Sequence, residues 1–259
     1  MTLPTPDPAF HWTDEHWGAA LRCTPLATAA QHVFTSKQLG LPRPDGWGDA
    51  AASVGADVSH LMRVKQVHGN AVRLLKRGEM LADAADQRAD GDAIVSNVEG
   101  LALAVLVADC VPVLVADPRC GAAAAIHAGW RGTCARVVPA AIAMMQREFG
   151  SSPADLIAAI GPSVGPGDYE VGESLIEAFR REGHPESSIA TWFIPTATKP
   201  HLDLWAANRD QLLMAGVTAD RIHLCGLSTV SHPDILESYR VEGERAGRMA
   251  ALIVVPPSA

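Results

Sequence analysis

The sequence predicts an α+β fold with mixed β-sheets, and three observations carry that prediction. First, strand-length apolar runs outnumber helical patterns. Three of them (residues 101–108, 111–116 and 121–126) follow one another inside the single stretch 101–133. Second, these runs are continuous in Val, Leu, Ile and Ala, which predicts strands buried on both faces. Third, the breaks between strands are short and turn-like, and helical periodicity appears mainly after residue 133, so strands and helices do not alternate as in a βαβ fold.

Taken in order, residues 1–30 read as a loosely structured arm that Trp12 and Trp17 pin to the body, and residues 31–257 as a single catalytic domain. Residues 31–37 predict a short strand ending in a polar turn, and the Pro and Gly of 41–48 predict a loop. Residues 61–68 and 71–75 read as two strands joined at Gly69-Asn70, a hairpin. The segment 77–91 is acidic and irregular, and 92–96 leads back to the central strands. Val137, Ala141 and Met144 recur at helical steps with Gly150 as a stop. Further helices are predicted through Leu175, Ile176 and Phe179, and over 204–215. Short strands are expected at 156–160, 221–225 and 248–255.

Composition narrows the function classes. A formal net charge of −8 with no basic block argues against nucleic acid. The apolar runs are broken by Asp109 and by Asp117-Pro118-Arg119 before they reach membrane-spanning length. The N-terminus carries no positive region followed by an apolar one, so no secretory signal is read there. Five cysteines without framework spacing predict a reducing, cytoplasmic setting.

Polar chemistry gathers where the strands end. His68, Cys110 and His127 each close a predicted strand within two residues of Gly, Pro or Asp. One thiolate and two imidazoles form a borderline-soft donor set that suits zinc, and three protein ligands leave a fourth position for water or substrate. The spacing has no CxxC or HxxxH, so each residue alone reads as readily as a buried thiol or a satisfied turn histidine.

The segments VKQVHGN, DGDAIVS, VADCVPVLVADP, AAIHAGWRGT, IGPSVGPGDYEVG, LDLWAANRDQL and SYRVEG resemble the multicopper polyphenol oxidase (laccase-like) family. That family is also described as purine nucleoside phosphorylases and as peptidoglycan editing factors. The resemblance covers residues 32–255. It implies a four-layer α/β/β/α sandwich and zinc held by His68, Cys110 and His127. It also implies phosphorolysis of adenosine, inosine, guanosine and methylthioadenosine, with deamination of adenosine. The partners it implies are a small nucleoside and phosphate, in a monomer or weak homodimer. The family's HGFSTR segment reads His32-Val33-Phe34-Thr35-Ser36-Lys37 here, with Lys37 in place of an arginine expected to hold phosphate. Thr35 belongs to the same segment.

On this reading the catalytic residues are Cys110, Asp109 and Arg131, with Lys37, Thr35 and Arg131 binding phosphate. Asp109 either orients a ligand histidine or shuttles a proton, or else caps a strand. Arg131 either clamps phosphate or pairs with a carboxylate at the surface. Trp130 either stacks on a base or packs in the core. Two other classes compete. One is an amidase editing peptidoglycan precursors, zinc-dependent or with Cys110 as nucleophile and His127 as base. The other is a copper polyphenol oxidase, which would use Cu2+ at the same three residues but lacks any H-x-H pair among the ten histidines.

Overall fold

The computed structural model describes residues 2–41, 46–78 and 89–257. Of the loop expected at 41–48, residues 42–45 lie outside the described residues, as does most of the acidic segment, 79–88, while residues 46–48 are the start of a helix rather than loop.

The chain opens with β1 (Phe10–Glu15), β2 (Gly18–Cys23), the single turn α1 (Thr24–Ala27) and β3 (His32–Thr35). This corrects the expectation of a loose arm over 1–30. Phe10, Leu21, Cys23 and Leu26 are buried in the core, and β1–β2–β3 form an antiparallel meander. Strand pairing and the burial of these side chains hold this segment as sheet rather than as an appendage. Next come α2 (Gly46–Ala52), β4 (Leu61–Met62), β5 (Val72–Leu75), β6 (Ala93–Ser96), β7 (Ala102–Val107), β8 (Val111–Asp117) and β9 (Ala122–Ala128). Then α3 (Trp130–Cys134), α4 (Val137–Phe149), β10 (Ile157–Ile160), α5 (Glu173–Arg181), α6 (Glu186–Trp192), β11 (Phe193–Ile194), β12 (His201–Leu202) and α7 (Leu204–Met214) follow. The chain closes with β13 (Ile222–Leu224), α8 (Tyr239–Glu242) and β14 (Met249–Val254).

Two six-stranded mixed sheets result, with orders β1-β2-β3-β14-β7-β4 and β13-β10-β8-β9-β6-β5. Phe34, Leu103, Val105, Ala251 and Ile253 of the first meet Ile94, Leu114, Ala116, Ala123 and Ala125 of the second in one inner layer. On the outer face of the second sheet, Val111, Val113 and Val115 pack beneath α4, α5, α6 and α7. On the outer face of the first, Val33, Ala104 and Leu252 pack against Trp47 and Ala50 of α2. The architecture is therefore the α/β/β/α sandwich, and its middle strands have no polar face because both of their sides are covered.

One local expectation fails. Residues 61–68 and 71–75 do not form a hairpin, because β4 pairs parallel with β7 in the first sheet and β5 pairs parallel with β6 in the second. The chain between them crosses from sheet to sheet. A second crossing joins β7 to β8 through Ala108-Asp109-Cys110.

Candidate metal centre

Both crossings end at one place. His68 lies in the first and Cys110 in the second, while His127 stands near the end of β9, paired in register with Pro112. The three side chains offer ligand atoms that all lie within 4.8 Å of one another. The two imidazole centroids are 4.9 Å apart, edge to face. Burial is graded: His127 is buried, Cys110 half-buried and His68 exposed, so the centre opens to solvent on the His68 side.

Backbone conformation at the crossings is unusual. His68 and Asp109 adopt positive φ, 61° and 80°, in the left-handed region that β-carbons disfavour. Compensating contacts hold both. Buried Asp92 accepts the backbone N–H groups of His68 at 2.9 Å, Gly69 at 2.6 Å and Val67 at 3.3 Å. The same carboxylate lies 2.9 Å from His127 Nδ1, and the Asp92 carbonyl accepts the His127 N–H at 2.7 Å. Asp92 thus fixes the turn that presents His68 and the tautomer of His127, leaving Nε2 for the centre. It is the functional residue that reading the sequence missed. The signal was its place in DGDAIVS, one residue before a strand.

The Asp109 carboxylate bonds other loops rather than a ligand histidine: it accepts the Thr229 hydroxyl and the Arg240 N–H, each at 2.6 Å. The Asp109 carbonyl accepts the Val164 N–H. Asp109 ties three loops together next to Cys110, and Asp92 performs the orienting task instead.

The electrostatics couple the donors. Burial pushes the Cys110 thiol up, but hydrogen bonds from His127 and His68 outweigh it and bring it down to about 6. Burial works against charge on His127, yet Asp92 and the Cys110 sulfur raise it to about 9. Burial likewise opposes charge on Asp92, and His127 with the Gly69 and His68 N–H groups holds its carboxyl below the usual carboxylate range. A thiolate between two imidazoles, one backed by a carboxylate, is the donor set of a zinc or copper site, so the residues present fit the metal that the sequence implies.

Around the donors, Gly129 precedes α3 and abuts the sulfur: a Cβ there would lie 2.6 Å from Cys110 Sγ. Arg131 is exposed on α3 with its guanidinium over the Trp130 ring at 4.4 Å. Trp130 is therefore a platform for Arg131, and it also packs on the outer core. Tyr169 was not foreseen either. Burial raises its hydroxyl to about 12, with Cys110 and Asp109 pushing it up and Arg240 and Arg131 pulling it down, so all four groups act on one phenol.

Lys37 and Thr35 are engaged away from the three donors. The Lys37 ammonium bonds Glu242 Oε1 at 2.6 Å and the Pro233 carbonyl at 3.1 Å, with Glu237 at 3.9 Å. Thr35 is buried in the first sheet, where its hydroxyl accepts the Ala250 N–H.

Residues 47–256 match the family model described as multi-copper polyphenol oxidoreductase laccase. The chain belongs to this family. A purine nucleoside phosphorylase of Bacteroides thetaiotaomicron is 43% identical over 164 residues, 63% of this chain and 60% of that protein. The chain thus spans less than two thirds of that relative. An adenosine deaminase, RL5, from an unknown prokaryotic organism is 36% identical over 175 residues, 66% of each. The crystal structure of YlmD from Geobacillus stearothermophilus superimposes with a TM-score of 0.82 at 29% identity, covering 95% of this chain and 99% of that one.

Proposed function

We propose that this chain is a zinc-dependent purine nucleoside phosphorylase that also deaminates adenosine. The observation that carries the reading is the convergence of His68, Cys110 and His127 on one solvent-open point, with Asp92 behind His127. The relatives described as a phosphorylase and a deaminase supply the substrate class.

A metal held by these three residues supplies Lewis-acid polarisation of an oxygen. The chain's own groups do the rest. Asp92 keeps the proton of His127 on Nδ1, so that Nε2 faces Cys110. Gly129 leaves the sulfur uncovered. Arg131, whose guanidinium has no carboxylate partner among the described residues, supplies donors for phosphate. In phosphorolysis a phosphate oxygen bonds to ribose C1′ while the C1′–N9 bond breaks. Its electron pair leaves with the purine, which takes up a proton. In deamination water adds at C6 of adenosine, and the C6–N bond breaks to release ammonia.

One observation favours a second reading, the cysteine amidase acting on peptidoglycan precursors. Cys110, His127 and Asp92 line up as nucleophile, base and orienting carboxylate. His68, a second imidazole against the same sulfur, favours the metal instead. For the copper oxidase, one donor cluster stands among the described residues, whereas that chemistry needs a second, multinuclear one.

One preparation separates these readings. Protein is analysed for metal, then incubated with adenosine with and without phosphate while ribose-1-phosphate and ammonia are measured. We expect near-stoichiometric zinc, phosphate-dependent ribose-1-phosphate, and ammonia in both conditions. Metal-free protein that alkylates at Cys110 and releases neither product from the zinc-loaded form would overturn the proposal in favour of the amidase.

A further inference from the structure

Two arginines are anchored next to residues of the metal centre by independent routes. Arg131 lies two residues after Gly129, which abuts the Cys110 sulfur. Arg240 is the second residue of α8, and its backbone N–H is fixed at 2.6 Å on the carboxylate of Asp109, the residue before Cys110. Its side chain runs back over Tyr169, with Cζ 5.4 Å from the ring centroid and one terminal nitrogen donating to the Glu170 carbonyl at 2.8 Å.

Four other arginines of this molecule are neutralised, whereas Arg63 also lies over a ring and Arg136 and Arg248 bond carbonyls. Arg22, Arg119, Arg147 and Arg180 each pair with a carboxylate. Among the described residues neither Arg131 nor Arg240 has one; each lies over an aromatic ring instead. A guanidinium fixed by a ring and a carbonyl keeps its remaining N–H donors for a ligand. The local charge also calls for cations. The Asp109 carboxylate beside Cys110 would repel an anion, and the two arginines are cations that can offset it.

We infer that Arg131 and Arg240 together form the oxyanion seat beside Cys110, and that Arg240 takes the part that sequence position assigns to Lys37. Lys37 holds Glu242, four residues after Ser238, the N-cap of α8, and so fastens the helix that carries Arg240. The inference rests on the phosphorolysis reading for its substrate, inorganic phosphate, and on this geometry for its residues.

The test is calorimetric titration of inorganic phosphate into the purified protein, repeated with Arg240→Ala, Arg240→Lys, Arg131→Ala and Lys37→Ala. KM for phosphate and for nucleoside and the rate of ammonia release are measured alongside. Arg240→Ala keeps the backbone N–H that Asp109 needs, and a thermal melt checks that it folds. Loss of a charge-assisted donor predicts a phosphate Kd and KM raised at least about tenfold in Arg240→Ala and Arg131→Ala. Arg240→Lys should recover part of that loss, and nucleoside KM and deamination should stay within about twofold. Lys37→Ala should lower the melting temperature and raise phosphate Kd less than Arg240→Ala does. Unchanged phosphate binding in Arg240→Ala, or a larger loss in Lys37→Ala than in Arg240→Ala, overturns the seat. Phosphate binding that follows these predictions without any ribose-1-phosphate would uphold the seat and overturn the phosphorylase reading.

Discussion

A methyl group on Gly129 would sit 2.6 Å from the Cys110 sulfur and 3.6 Å from the His68 ring. Neither neighbour can yield without leaving the other donors. Gly129→Ala is therefore expected to abolish stoichiometric zinc while costing only about 1–3 kcal/mol of stability, the range of local overpacking. Elemental analysis and a urea melt check the two halves, and retained zinc would show that the sulfur is not a ligand. Asp92→Asn tests the carboxylate behind His127. Asparagine can accept one of the N–H groups of His68 and Gly69, but it turns its own amide donor towards another. Zinc affinity, measured by chelator competition, should fall about 10–100-fold. An unchanged affinity would mean that the left-handed turn at His68 holds without its hydrogen bonds. That turn and the one at Asp109 are each of the kind that costs on the order of 1–3 kcal/mol, which is why both carry a carboxylate contact.

At the scale of elements, the β2–β3 connection holds a buried titratable group. His32 Nε2 accepts the Cys23 N–H at 2.8 Å, and Nδ1 lies 3.0 Å from the Ala30 carbonyl, so the ring is neutral with its proton on Nδ1. Burial pulls its pKa from 6.5 down to about 4. Above pH 6.5 the ring is neutral folded and unfolded, and its contribution to stability is complete. Between pH 6.5 and 4 the unfolded chain binds a proton that the folded chain refuses, so stability falls with pH. The loss reaches on the order of 3 kcal/mol by pH 4. Urea unfolding at pH 7 and pH 4.5 should show this slope in the natural protein and a shallower one in His32→Gln. Parallel slopes would remove His32 as the cause. The same hairpin explains why residues 10–23 are not a loose arm: β2 pairs with β3, next to the central strand β14.

For the whole molecule, the layer between the sheets governs the centre, because both crossings hang from it. Leu114 is fully buried there, among Leu103, Val105 and Ile253 of the facing sheet. Leu114→Ala should cost about 2–5 kcal/mol, the range for a buried leucine that leaves a cavity. It should also weaken zinc binding, since β8 begins one residue after Cys110. Denaturant melts with and without zinc check both effects. Destabilisation with undiminished zinc affinity would show that the crossings keep their geometry independently of the layer.

The sequence by itself determined the central strands of this protein and the mixed α+β class, and it singled out the two imidazoles and the thiol that converge, for local reasons. Continuous runs of Val, Leu and Ala cannot be solvated, so residues 102–107, 111–117 and 122–128 had to be covered strands. A thiol and imidazoles at their breaks are soft donors whatever the fold. The tertiary structure alone decided which strands share a sheet. The Gly69-Asn70 signal for a hairpin was outweighed because β7 and β6 lie in different sheets, and β4 and β5 each follow one of them. It also decided the roles of the charged residues. Asp92 and Asp109 look alike as acids beside a strand, yet only Asp92 faces His127. Lys37 and Arg240 both look free, yet glutamate holds the first. Charge is written in the sequence, but its partner comes from segments up to two hundred residues away, and only the folded packing brings them together.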